Sequence, residues 1–119
     1  MALEALFENP LFLIPVMAGI IFVMAGLVLF KFPPKEINSL YGYRTKNSMK
    51  DQDSWDFAQR YSSTELMKFG GLLTLTAVIG IFFNPGGKIA MFLGLGLMIL
   101  IVVIILIRVE KAIKSRRPK

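Results

Sequence analysis

Cysteine and histidine are both absent from this 119-residue chain. Disulfides, thiol chemistry, zinc sites built on either residue, and imidazole acid–base catalysis are thereby excluded. Charge is scarce too, at 18% of residues, where an ordinary soluble domain carries about a quarter. That scarcity is uneven. Leu11–Phe30, Phe69–Gly87 and Ile89–Ile107 contain no ionisable residue at all. Proton relays and ion pathways across a membrane usually need such residues, and three helices fall short of the usual repeat architecture of secondary transporters. A transporter acting alone is therefore not expected.

What is present is apolar bulk. Hydrophobic residues make up 55% of the chain, and the mean hydropathy is +0.60. Each uncharged window is long enough, at about 1.5 Å of rise per helical residue, to cross a hydrocarbon core of about 30 Å. Ile89–Ile107 alone holds fourteen Leu, Ile, Val or Phe residues, each contributing about −0.3 to −0.6 kcal/mol near the centre of an inserted helix. The remaining polar segments are too short to wrap three such helices in a soluble fold. The expected fold is an all-α integral membrane protein, a single membrane domain over residues 1–119. Its spans lie at about 11–30, 66–83 and 88–107, with a loop at 31–65 and a basic tail at 108–119. Residues 1–10 carry Glu4 and Glu8 but no Lys or Arg, and no A-x-A-like cleavage site follows the apolar run. The first segment thus reads as a retained helix rather than a signal peptide.

Local signals mark the ends of these helices. Asn9–Pro10 suits an N-cap followed by the first helical position. Pro15 either kinks the helix or marks its start, and Pro33–Pro34 stops it. Asn84-Pro85-Gly86-Gly87 is a turn short enough to force the last two spans into an antiparallel hairpin. The basic residues set the expected orientation. Thirteen of the fourteen lie either in residues 31–68 or in the tail, and only Lys88 lies in the short turn. Because cytoplasmic flanks collect Lys and Arg, the N-terminus is expected outside and the C-terminus in the cytoplasm. The formal charge of +6 then reflects topology and attraction to anionic lipid, not nucleic acid.

Residues 53–65 read as an amphipathic helix at the cytoplasmic interface that continues into the second span. Trp55, Phe57, Ala58, Tyr61 and Ser62 share one half, while Asp53, Asp56, Gln59, Arg60 and Ser63 share the other. Asp56 and Arg60 stand at the favourable i,i+4 spacing, and Trp55 and Tyr61 suit the headgroup layer. Small residues predict where helices meet. Gly86, Ala90 and Gly94 recur every four residues, and Gly19 and Gly26 every seven. Such stripes allow close backbone approach in lipid, either within one three-helix bundle or in a homodimer.

Candidate chemistry is confined to the loop. Asp51, Asp53 and Asp56 imitate the start of a calcium loop, but the required glycine and final glutamate are missing, so no metal and no cofactor are expected. Acids complementing a helix N-terminus explain the cluster better. Lipid-headgroup chemistry by Asp51, Asp53 or Arg44 is the enzymatic alternative, against the preferred non-enzymatic reading. The distinctive pattern is Asn38-x-x-x-Gly42-x-Arg44-Thr45, with Trp55 ten residues further on. Gly42 permits a tight bend between Tyr41 and Tyr43, and Asn38 can cap or bridge. Arg44 presents a five-donor fork suited to phosphate, carboxylate or helix-end carbonyls.

Together with Pro33–Pro34 and two following apolar helices, this pattern resembles the SdpI/YfhL family of bacterial membrane proteins, over roughly residues 11–107. The resemblance implies a bacterial plasma membrane location and immunity to a membrane-active peptide toxin. It carries over Asn38, Gly42, Arg44, Thr45 and Trp55 as the family signature; with Tyr41 and Tyr43, which flank the Gly42 bend, these are the expected binding residues. The family's namesake is larger and is also implicated in sequestering a repressor. The alternative reading is a membrane-anchored binding module that recruits a cytoplasmic regulator through the loop and the basic tail.

Overall fold

The computed structural model describes residues 2–116, and the expected tail beyond Arg116 lies outside them. The elements are α1 (Ala2–Phe7), α2 (Pro10–Lys31), α3 (Gln52–Phe82) and α4 (Gly87–Ser115), with no strand among the described residues. Three of the four, α2, α3 and α4, are long and apolar enough to cross a membrane. They form a rod of 57 × 23 × 20 Å, longer than the roughly 30 Å hydrocarbon core. Large apolar side chains point outward along its length, among them Ile21, Met24, Leu75, Phe92 and Ile99. An exposed apolar surface of this extent suits contact with lipid rather than water.

Asn9 organises one end of the rod. Its side-chain Oδ1 accepts from the Leu11 amide, while its side-chain Nδ2 donates to the carbonyls of Gly80 and Phe83 at the end of α3. One buried residue thus caps the start of α2 and satisfies carbonyls left open at the C-terminus of α3. Helix α2 runs on through the buried Pro15 without a break. The amphipathic stretch and the second membrane span are one continuous helix of 31 residues, unbroken at Gly70–Gly71. Its buried face differs from the expected one, because Gln59 and Ser63 lie inside. Helix α4 likewise continues past Arg108 to Ser115, burying Ile101, Ile105, Val109 and Ile113 at a spacing of four. At the hairpin, the Gly86 amide donates to the side chain of Asn84.

The small-residue stripes are covered within one chain. Gly19 faces Gly70 and Thr74, Gly26 faces Ser63 and Met67, and Gly94 faces Pro10 and Ile14; Ala90 is fully buried. Gly86 departs from the expected packing role. It has open space around it and a φ of +90°, so it serves the turn. A contrast tests this packing. A Cβ at Gly80 would lie 2.7 Å from the Phe12 backbone nitrogen, which cannot give way, so Gly80→Ala should cost about 1–3 kcal/mol. Gly71 faces open space, so Gly71→Ala should be neutral or stabilise by up to about 1 kcal/mol. Unfolding in mixed micelles will separate the two.

Candidate functional site

Residues 32–51 join α2 to α3 at the opposite end of the rod, where they bond to α3 and α4. Each anchor of this segment is a side-chain hydrogen bond. Asn38 shapes the first bend by accepting from the amides of Leu40 and Tyr41 and donating to the Glu36 carbonyl. The Tyr41 hydroxyl donates to the Phe32 carbonyl at the end of α2, at 2.7 Å.

Gly42 follows with φ +109°, in the left-handed region that glycine tolerates. Space alone would also exclude a side chain there, since a Cβ would lie 2.6 Å from Gln59 Oε1 and 2.8 Å from Pro34 Cγ. Beyond this bend, Gln59 of α3 grips the backbone of Tyr43 at both groups. Its Oε1 accepts from the Tyr43 amide at 2.7 Å, and its Nε2 donates to the Tyr43 carbonyl at 2.9 Å. A buried amide is satisfied by pairing as a strand would.

The far side of the loop is latched to α4 through Glu110. Its carboxylate accepts from the Tyr43 hydroxyl at 2.6 Å, the Thr45 hydroxyl at 2.7 Å and the Asn47 amide at 2.6 Å. Burial opposes the charge, but the three donors outweigh it and hold the Glu110 carboxyl below the usual range, in its ionised form. Burial and the Glu110 carboxylate both push the Tyr43 phenol far above its ordinary range, so it stays a donor. Ser48, fully buried, closes a small turn with Thr45 and donates back to the Tyr43 carbonyl.

Trp55 is fully buried, and its indole nitrogen donates to the Pro34 carbonyl at 2.9 Å. This corrects the headgroup position expected from sequence. Instead of floating at the membrane surface, the ring supports the Pro33–Pro34 segment from below. Tyr61 is half-buried and stacks on Phe57, over which Arg116 sits at 4.8 Å. Asp51 is the N-cap of α3, accepting from the Ser54 amide, and that backbone hydrogen bond holds its carboxyl below the usual range. Asp56 accepts from Gln52 rather than pairing with Arg60. Among the described residues, no cluster of acids could hold a metal ion.

Arg44 is the exception among the motif residues. It is exposed and, among the described residues, takes no part in a hydrogen bond or ion pair with the chain, whereas its neighbours on both sides are fixed. Tyr41, Gly42 and Tyr43 also roof an apolar groove of about 340 Å³. Phe22, Ala25 and Leu29 of α2 form one wall, and Val102, Ile105 and Leu106 of α4 the other.

Sequence reasoning did not single out Gln59, Glu110, Glu65 or Arg108. Glu65 is 3% exposed, and it accepts from Arg108 Nε at 2.6 Å and lies 3.1 Å from Lys68 Nζ. This pair ties α3 to α4 at the border of the apolar windows. A signal for it existed: the two residues lie almost equally far from the 84–87 turn, so an antiparallel hairpin brings them together. Glu110, for its part, is the sole acid among residues 108–119.

Comparison with known proteins agrees with the motif. The model of the SdpI/YfhL protein family matches residues 35–109, which takes in most of the loop, all of α3 and most of α4. The uncharacterized protein YfhL of Bacillus subtilis (strain 168) is 51% identical over 55 residues, covering 46% of this chain and 49% of the relative. The match thus spans about half the length of that relative. No solved structure matches the chain.

Proposed function

We propose that this chain, which belongs to the SdpI/YfhL protein family, is a non-enzymatic protein of the bacterial plasma membrane that protects against a membrane-active peptide toxin. Its N-terminus lies outside and its C-terminus in the cytoplasm, the orientation favoured by thirteen of fourteen basic residues on one side. One observation carries the reading. The loop is tied to the end of α2, to α3 and to α4 through Tyr41, Tyr43 and Thr45, while Arg44 between them is exposed, with no partner for its donors among the described residues. Fixing a loop in this way removes the ordering cost of binding.

The toxin's apolar side would occupy the groove beneath Tyr41–Tyr43, and Arg44 would engage a carboxylate or other anionic group on its polar side. A killing assay tests this in a toxin-sensitive Gram-positive strain expressing the wild type, Arg44→Ala or Glu110→Gln. Wild type should protect. Arg44→Ala at matched membrane levels should lower the killing dose about tenfold, the effect of losing one charge-assisted contact. Glu110→Gln, which keeps one acceptor but loosens the latch, should fall between them. No protection by well-expressed wild type would overturn immunity to that toxin.

A further inference from the structure

A second recess opens between the end of α2 and the first half of α3. It has a volume of about 450 Å³, and Phe30, Pro33, Pro34, Lys35, Asp56 and Arg60 are among its lining residues. We propose that it binds the headgroup of an anionic phospholipid bearing free hydroxyls, the phosphatidylglycerol class. The phosphate would sit between Lys35 and Arg60, and an acyl chain would run down the exposed face of Phe30.

Four observations converge on that occupant. The first is depth, since the recess lies where the uncharged window of α2 ends and polar residues begin, the level at which phosphates sit. The second is unused positive charge. Arg60 and Lys35 are both exposed, and among the described residues neither side chain has an ion-pair or hydrogen-bond partner. Asp56, one turn before Arg60, accepts from Gln52 at 2.8 Å and forms no ion pair with that guanidinium.

The third is a prearranged wall. The Pro33–Lys35 backbone is pinned to α3 at two points, by Trp55 Nε1 on the Pro34 carbonyl at 2.9 Å and Gln52 Nε2 on the Lys35 carbonyl at 2.7 Å. Two consecutive prolines stiffen it further. The fourth is the remaining acid. Asp56 makes the recess mixed rather than purely cationic, and its second carboxylate oxygen can accept a headgroup hydroxyl. A headgroup that is phosphate at one point and hydroxyl at another fits this set better than a bare phosphate. Basic recesses at the cytoplasmic ends of membrane helices are suited to anionic headgroups.

The test uses the full chain reconstituted in vesicles with spin-labelled phosphatidylglycerol or phosphatidylcholine, reading the fraction of each lipid that is motionally restricted. Wild type should prefer phosphatidylglycerol by about fivefold, below the full attraction of two basic residues because both are exposed. K35Q/R60Q should lose that preference, and K35R/R60K should keep most of it. K46Q/K50Q, which removes equal charge from the same loop away from the recess, should leave it intact. Absence of the preference in wild type overturns the proposal, as does an equal fall in K46Q/K50Q, which would mean diffuse attraction only. Binding of inorganic phosphate by the wild type in detergent, lost in K35Q/R60Q, without a phosphatidylglycerol preference in vesicles would assign the recess to a free phosphate and overturn the lipid. Circular dichroism checks each variant for folding, and if K35Q/R60Q fails that check, the single R60Q variant decides.

Discussion

Trp55→Ala will destabilise the protein by about 3–5 kcal/mol, and the loop will loosen before the membrane helices do. The ring is fully buried at the end of the rod that projects beyond the apolar windows. There, water is the alternative environment and the ordinary cost of truncating a large core side chain applies. The loss falls on the loop for a geometric reason. Trp55 supports Pro34, Pro34 lies against Gly42, and Gly42 sits over Gln59, which grips Tyr43. Without the ring, that stack has no floor. Trp55→Phe keeps most of the apolar burial but leaves the Pro34 carbonyl without its donor, and should cost about 1–2 kcal/mol. Unfolding in mixed micelles measures the two costs, and limited proteolysis within residues 40–50 reports the order of events. Cleavage no faster than in wild type would show that the loop does not depend on Trp55.

The three membrane helices are legible in the sequence because lipid imposes one dominant rule, an uncharged stretch of about 20 residues. Asn9–Pro10 and the 84–87 turn were legible because capping and turn chemistry are local. The loop was legible only in part. Gly42 could be read as a bend from its residue type, yet its partner Gln59 looked like a member of a solvated polar face. Trp55 illustrates the limit well. A tryptophan between two aspartates near a membrane border fits a headgroup layer and a small core equally, and what decides is a proline segment 21 residues away. Glu110 was hidden for the same reason: its bond to Tyr43 spans 67 residues, and in sequence it is one acid within a basic run. Residues whose role is set by long-range contacts leave no periodic trace.

This distinction bears on how the motif should be read. Asn38, Tyr41, Gly42, Tyr43, Thr45 and Trp55 are all occupied in holding the loop, so substituting any of them will disturb its shape first and any partner second. Arg44 has no hydrogen-bond or ion-pair partner among the described residues, so changing it removes no such contact. Variants at Arg44 therefore report on recognition, while variants at the other six report on architecture.

Arg108 and Glu65 will respond unequally to removal, although they form one ion pair. Glu65 is 3% exposed, whereas the Arg108 side chain is 44% exposed and lies over the Phe69 ring. Removing Arg108 leaves a buried carboxylate whose remaining partner among the described residues is Lys68. An uncompensated buried charge costs about 3–5 kcal/mol, and Lys68 at 3.1 Å should hold the Glu65 penalty to the lower end of that range. Removing Glu65 leaves a guanidinium that already reaches water and can extend further along its flexible stem. Glu65→Leu should therefore be much milder than Arg108→Leu. The double variant Glu65→Leu/Arg108→Leu should recover most of what Arg108→Leu loses, because it removes the orphaned charge along with its partner. Equilibrium unfolding of the three variants in mixed micelles gives the comparison directly. Equal losses in the two single variants, with no recovery in the double, would mean that the pair acts through packing of the α3–α4 seam rather than through the burial of Glu65.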